Sequence, residues 1–190
     1  MEIRKLLVAN RGEIAARIFR ACTDAGIATV AVAAPDDRGA FHTRLAGETV
    51  EIESYLFSEE HIRAAKATGA DAVHPGYGFL AESPDFAESV EAGGLVFVGP
   101  TPEALRQGGD KLEAKRIAQE VGVPVLPAGQ PDEVGFPLVV KAAAGGGGRG
   151  MRVVREPAEL EEASEAARRE AKAAFGEDTV YYERYVERPR

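Results

Sequence analysis

The chain has a single cysteine, Cys22, and three histidines, His42, His61 and His74, among its 190 residues. One thiol excludes an internal disulfide framework, and scattered histidines lack the paired spacing of a zinc site, so structural metal and redox chemistry are set aside. No apolar run approaches the ~20 residues needed to cross a bilayer. Met1-Glu2-Ile3-Arg4-Lys5 leads into a short apolar strand rather than the hydrophobic stretch of a signal peptide. Positive charge is in deficit, with 23 Lys and Arg against 31 Asp and Glu and a formal charge of -8. Such a field repels a nucleic-acid backbone unless basic residues cluster, and no basic stripe is visible. These absences predict a cytoplasmic protein with neither nucleic-acid nor membrane partners.

What is present is average for a globular protein: 45% apolar and 28% charged residues, which excludes low-complexity and fibrous classes. The length suits one medium or two small domains burying roughly 70% of the unfolded surface. Over the first hundred residues, short apolar runs alternate with helix-period segments, the pattern of a βαβ sheet with helices on both faces. Strands are expected at Ile3 to Ala9, Ala28 to Ala33, Thr49 to Ile52, Ala70 to His74 and Leu95 to Val98. A helix over Gly12 to Ala25 turns Ile14, Ile18, Cys22 and Ala25 inward and Arg17, Arg20 and Asp24 outward. Ser58 reads as the N-cap of a second helix, Glu59 to Thr68, stopped by Gly69. The long connections imply parallel strands with right-handed crossovers.

A boundary follows Gly99-Pro100, with Thr101 and Pro102 opening a connecting helix. Another helix starts at Asp110, with Glu113 in a capping-box arrangement, and runs to Val121. Beyond it the character changes to a small α+β unit. Strands are expected at Val123 to Leu126, Pro137 to Ala142, Met151 to Arg155 and Thr179 to Val186, and a long helix at Pro157 to Phe175. Glu165 and Arg169, four apart, give that helix a charged outer face. There is no internal repeat.

The strongest local signal is Ala144-Gly145-Gly146-Gly147-Gly148-Arg149-Gly150, between a strand ending in Lys141 and one starting at Met151. Four glycines carry a large ordering cost, so such a run is either a slack linker or a loop closely approached by a ligand. Its bracketing is a hairpin within one domain, and Lys141 and Arg149 add charge to exposed N–H donors, which favours an anion cradle for phosphate. It is neither the P-loop nor the G-x-G-x-x-G pattern. Lys141 on an apolar strand either points to solvent or meets an anion. Lys111, in a first helical turn where the dipole disfavours a cation, is either solvated or near a phosphate. Glu183 alternates with aromatics, as on the polar face of an edge strand. His74-Pro75-Gly76-Tyr77-Gly78-Phe79 follows a strand at its carboxyl end, where open α/β sheets build ligand sites; it also reads as a rigid turn with His74 satisfied by backbone. Asn10-Arg11-Gly12 is either a helix N-terminus suited to an anion or a turn in which Arg11 ties loops together.

Five motifs then stand in one order: Val8-Ala9-Asn10-Arg11-Gly12-Glu13-Ile14-Ala15; His74-Pro75-Gly76-Tyr77-Gly78-Phe79-Leu80-Ala81-Glu82; Gly109-Asp110-Lys111; Val140-Lys141-Ala142; and Gly145-Gly146-Gly147-Gly148-Arg149-Gly150-Met151-Arg152. In this the chain resembles biotin carboxylases, the ATP-grasp components of acetyl-, propionyl- and pyruvate carboxylases. The resemblance implies an α/β fold: a Rossmann-like parallel-sheet N-terminal domain at 1–100, connecting helices at 101–122, a small α+β ATP-grasp lid at 123–186, and at 187–190 the start of a further half. It implies a ligase using ATP and bicarbonate to carboxylate biotin on a carrier protein, within an acyl-CoA or pyruvate carboxylase, acetyl-CoA carboxylase of fatty acid biosynthesis among them.

Residue by residue, the resemblance implies that Lys111 and Lys141 contact nucleotide phosphates. Gly147 and Gly148 close over them with Met151 nearby, while Glu183, Arg184 and Val186 line the adenine pocket. Tyr77 lies beside biotin, and Arg20 and Asp24 match dimer-interface positions. The partners implied are a biotin carboxyl carrier protein and a carboxyltransferase. No catalytic residue and no metal ligand falls within the chain: the carboxylates for Mg2+ or Mn2+ are expected beyond residue 190, so the isolated chain is expected to be inactive. The departures from the family are that missing half, a brief segment between Val50 and Tyr55, and Ala128 to Phe136 in place of a loop plus a helix. Ala144 also stands where many relatives have glycine. The competing readings are a non-catalytic nucleotide-binding or dimerisation module, and another ATP-grasp ligase such as carbamoyl phosphate synthetase. The Asn10-Arg11-Gly12-Glu13 and His74-Pro75-Gly76-Tyr77 pair argues against the last.

Overall fold

The computed structural model describes residues 2–143 and 151–188. The chain divides into two compact units, Met1–Arg106 and Gln107–Arg190. In the first, the elements are β1 (Lys5–Val8), α1 (Gly12–Asp24), β2 (Ala28–Ala33), β3 (Glu48–Glu51), α2 (Ser58–Thr68), β4 (Ala72–His74), α3 (Pro84–Ala92), β5 (Val96–Phe97) and α4 (Pro102–Gly109), the last reaching into the second unit. The strands form one parallel sheet in the order β3-β2-β1-β4-β5. Strand alternation sends Leu7, Val30, Val32 and Val73 to one face and Leu6, Val8, Ala31 and Ala72 to the other. Ala64 and Ala65 of α2 and Phe86, Ala87 and Val90 of α3 cover the first face. Ala15, Ile18, Phe19 and Cys22 of α1 cover the second, so the fold is doubly wound and Cys22 is core.

The second unit holds α5 (Lys111–Glu120), β6 (Ala128–Gly129), α6 (Pro131–Val134), β7 (Leu138–Ala142), β8 (Arg152–Val154), α7 (Leu160–Phe175) and β9 (Val180–Arg184). Its sheet is antiparallel in the order β6-β9-β7-β8. The face carrying Leu138, Val140, Val154, Val180 and Tyr182 packs on Ala163 and Ala167 of α7. Alternation leaves Val139, Lys141, Tyr181 and Glu183 on the opposite face.

Several expectations need correction. The segment Val123 to Leu126 is not a strand: Pro124 and Pro127 remove ladder donors there, and Val123 and Leu126 are exposed. Ser58 is the first residue of α2 rather than its cap, and Phe57 takes the N-cap position. Asp110 does cap α5, its carboxylate accepting from the N–H groups of Leu112 and Glu113 at 2.9 and 3.1 Å. Glu113, however, is drawn away from a capping box by Arg116 at 2.6 Å. Two helices were not foreseen. In α3, Ser83 Oγ accepts from the Phe86 N–H and Pro84 opens the first turn. In α6, Gln130 and Glu133 form a capping box. The first turn of the long helix, Pro157–Glu159, is 3-10. Glu183 lies not on an edge strand but on β9, between β6 and β7.

Candidate functional site

In the first unit the strand order reverses at β1 and β4, the place where an open α/β sheet leaves a crevice beyond its carboxyl ends. The chain fills it with two loops bolted together by Asn10. The buried Asn10 amide donates to the carbonyls of Pro75 and Tyr77 at 2.7 and 2.8 Å. Gly76 has φ +66°, and a Cβ there would sit 2.7 Å from Asn10 Nδ2, so this turn admits only glycine without a shift. His74 Nδ1 accepts from the Gly76 N–H at 3.0 Å, the rigid-turn arrangement, and burial holds the imidazole below its ordinary pKa. Tyr77 is thereby presented outward, 60% exposed, with its hydroxyl donating to Glu13.

Arg11 is the tie rather than part of an anion site. Its guanidinium donates to Asp37 at 3.0 Å and lies 5.6 and 5.7 Å from the rings of Tyr55 and Phe79, which stack at 5.1 Å. The Tyr55 hydroxyl donates to the same Asp37 oxygen at 2.9 Å. Partial burial alone would push the Asp37 carboxyl up, but the hydrogen bonds from Arg11 and Tyr55 outweigh it and hold it below the usual value. Four loops from four strand ends are thus clasped beside Tyr77. Asp37 and Tyr55 carry no local sequence signal for this, since they come from different loops. On α1, Arg20 and Asp24 line an open groove of about 1080 Å³ together with Arg17, Phe41 and His42.

In the second unit the polar face of the sheet gathers charge. Glu183 and Lys141 are diagonal neighbours on β9 and β7, because Val139 pairs with Glu183 and Lys141 with Tyr181. The Glu183 carboxylate, 5% exposed, bridges two ammonium groups, Lys115 on Oε1 and Lys141 on Oε2. Desolvating a lone carboxylate at this depth would cost several kcal/mol, and two cations offset it. Burial by itself pushes the Glu183 carboxyl up; the hydrogen bonds and charges of Lys115 and Lys141 more than reverse that, leaving it below its ordinary value. Lys115 also donates to the Leu126 carbonyl at 3.2 Å and stands 5.9 Å over the Tyr181 ring. One helical turn earlier, Lys111 donates to the Ala143 carbonyl at the end of β7, at 3.3 Å. Two amines therefore hold one carboxylate, and a third, that of Lys111, sits just past the end of β7, directly before the glycine segment. An excess of buried-edge cations of this kind suits a polyanion.

The structure thus brings Lys141 and Glu183 together, sets Lys111 at the adjoining strand end, and adds Lys115, a residue without a motif of its own. The available signal was its spacing, four residues after Lys111 on the same helix face. The Arg184 side chain goes the other way, donating to the Val134 carbonyl at 3.3 Å on the face packed by α7. Its backbone N–H is bound to Pro127 O at 3.0 Å. Met151 and Val186 are exposed. Gly147, Gly148 and the rest of the tetraglycine segment, with Arg149, lie outside the described residues. Among the described residues no three His, Cys, Asp or Glu side chains gather as metal ligands, and no helix is long and apolar enough to cross a membrane.

A doubly wound sheet with a loop-built switch point, followed by an antiparallel unit with a lysine-rich face, defines an α/β protein of two units. Residues 2–105 match the model for the biotin carboxylase N-terminal domain, and residues 110–190 match that for the carbamoyl-phosphate synthase L chain ATP-binding domain. The chain belongs to the biotin carboxylase N-terminal domain family. It is 47% identical to the biotin carboxylase of Haemophilus influenzae over 99% of its own length and 46% of the relative's. Identity is also 47% to the mitochondrial pyruvate carboxylase of Rattus norvegicus, over 99% of this chain and 18% of that one. Among solved structures, a β,γ-ATP complex of the Campylobacter jejuni biotin carboxylase superposes with TM-score 0.95 at 40% identity, covering 100% of this chain and 46% of that one. The chain spans about half the length of the curated biotin carboxylases it matches. The alignments run over 207 positions, so relatives hold residues within the aligned stretch that this chain lacks.

Proposed function

We propose that the chain is the N-terminal portion of a biotin carboxylase, in which ATP and bicarbonate serve to carboxylate biotin on a carrier protein. Within it, 1–100 is the N-terminal domain, 101–122 the connecting helices, 123–186 the ATP-grasp lid and 187–190 the start of the second half. The observation that supports this reading is the pair of Lys115 and Lys141 on Glu183 with Lys111 at the adjoining end of β7, three cations to one carboxylate beside the segment to which the family resemblance assigns the phosphates. Positioning and charge neutralisation are what phosphoryl transfer asks of a protein, and ammonium groups at a half-buried edge supply both.

In this reading Lys111 and Lys141 hold the phosphates. Met151 lies near those phosphates, Glu183, Arg184 and Val186 line the adenine pocket, and Tyr77, exposed on its clasped loop, meets biotin. ATP supplies the activating phosphoryl group. The relative from Hydrogenobacter thermophilus, a 2-oxoglutarate carboxylase domain dimer, was solved with MgADP and bicarbonate, which supports Mg2+ as the accompanying ion. We assign the ion's ligands to the half that the relatives have in addition, together with the docking of a carrier protein and a carboxyltransferase. Arg20 and Asp24 on the exposed groove of α1 are the proposed homodimer contacts. The carbamoyl-phosphate synthase match at residues 110–190 favours a second reading, another ATP-grasp ligase, but the first unit's own family match weighs against it.

Calorimetric titration with MgADP tests the reading. Wild type is expected to bind and Lys141→Ala to bind at least about tenfold more weakly, the loss of one charge-assisted contact. Equal affinity in the two proteins would remove Lys141 from the site.

A further inference from the structure

We propose that Lys115 is a positioning residue for anion binding: by compensating Glu183 on its own, it leaves Lys141 at liberty to quit that carboxylate and serve a polyphosphate. The inference rests on the reading of this face as a nucleotide site, and it gives a task to a side chain to which that reading assigns no contact with nucleotide.

Each oxygen of Glu183 has its own lysine, Oε1 taking Lys115 and Oε2 taking Lys141. At 5% exposure the carboxylate has no recourse to water. Were Lys141 its sole cation, drawing that amine to a phosphate would strand a buried anion, which is far costlier than breaking a solvated pair. With Lys115 in place, the exchange always leaves one cation on the carboxylate. The two lysines are unequally held. Lys115 also donates to the Leu126 carbonyl at 3.2 Å and lies over Tyr181. Among the described residues, Glu183 is the only hydrogen-bond partner of the Lys141 amine. Lys141 further stands on β7, four positions before Gly145 in the sequence, whereas Lys115 reaches in from α5. Lys141 is therefore the amine free to exchange, and Lys115 the one that stays.

Titration calorimetry with tripolyphosphate, which carries no base, tests this on the 190-residue chain. Lys115→Met is expected to weaken binding about tenfold or more, since Lys141 is then locked on Glu183. Lys115→Arg should stay within about threefold of wild type. The decisive variant is Lys115→Met combined with Glu183→Gln: a neutral amide no longer holds Lys141, so affinity should return to within about threefold of wild type. A double variant as weak as Lys115→Met would make Lys115 a direct phosphate ligand and overturn the proposal, as would undiminished binding by Lys115→Met alone. Absence of binding by the wild type would overturn the nucleotide reading and this inference together, whereas equal binding by wild type and Lys115→Met overturns only the inference. Should Lys115→Met fail to fold, the wild type decides by NMR of the lysine ammonium groups. Tripolyphosphate should shift the Lys141 Nζ signal and leave that of Lys115 in place; the reverse pattern refutes the exchange.

Discussion

The two units solve the same problem, a sheet of few strands in water, in opposite ways. The first buries its parallel sheet on both sides: Leu7, Val30, Val32 and Val73 under α2 and α3, and Leu6, Val8 and Ala31 under α1. Arg11 and Asp37, at strand ends, clasp its loops. The second buries one face under α7 and spends the other on an ionic cluster, at a desolvation cost that aliphatic packing would have avoided. A two-sided core yields rigidity, which suits loops interlocked as those around Asn10 and Tyr77 are. A one-sided core leaves a charged face, the one to which the proposed nucleotide reading assigns the phosphates. Apolar burial is thus two-sided in one unit and one-sided in the other.

The largest expected effect breaks the comparison at its strongest point. Phe86 of α3, packed against His61 and Phe97, is the largest fully buried side chain of the core on its side of the sheet. Phe86→Ala should cost about 3–5 kcal/mol. Read by native-state hydrogen exchange, that loss should fall on amides of β1 to β5 and leave β7 to β9 protected as before. Equal loss in both would show a single cooperative body and end the contrast.

A smaller effect probes the clasp. Gly76→Ala places a methyl group 2.7 Å from an Asn10 amide pinned by two hydrogen bonds, at a φ of +66° that L-residues avoid. The expected cost is about 1–3 kcal/mol from αL strain and a disturbed buried amide. Chemical denaturation should show the loss, and local exchange should place it at residues 74–80. A neutral outcome would mean that the loops at the switch point are not interlocked.

How much of this was legible beforehand follows from the range of each interaction. Strand and helix positions in the first unit came from local periodicity, and β2 falls on the expected residues because an apolar run between Gly26 and Pro35 has one buried solution. The helix α3 was missed although Ser83-Pro84 announces it, since apolar spacing there is sparse. Val123 to Leu126 misled because its apolar content outweighed its prolines. Lys111, Lys141 and Glu183 were named from motifs, but their meeting depends on the β7–β9 register, a non-local fact. Arg184 shows the same limit: adjacent to Glu183 in sequence, it faces the other side of the strand. Asp37 and Tyr55 could not be read at all, because only the folded sheet brings their loops to Arg11.

The smallest effect sharpens the contrast through acid. All three histidines belong to the first unit, and the second has none. His61 is fully buried, its Nε2–H donating to the Tyr55 carbonyl at 3.0 Å while Nδ1 has no hydrogen-bond partner among the described residues. Burial holds its pKa below the ordinary 6.5, and the same cause lowers that of His74. Folded values below unfolded ones mean that, as pH falls through 6.5, the unfolded state takes up protons that the folded state refuses, so the first unit weakens. Glu183 has the opposite kind of group but the same acid sensitivity: its lowered carboxyl pKa supports the second unit fully above the ordinary 4.5, and that support fades only below it. Between about pH 6 and pH 5 the first unit should therefore lose exchange protection while β7 to β9 keep theirs. His61→Gln, which cannot titrate, should flatten the slope of the first unit in that window. An unchanged slope in this variant would shift the acid response to His74, and a parallel decline in β7 to β9 would show that the two units do not melt apart.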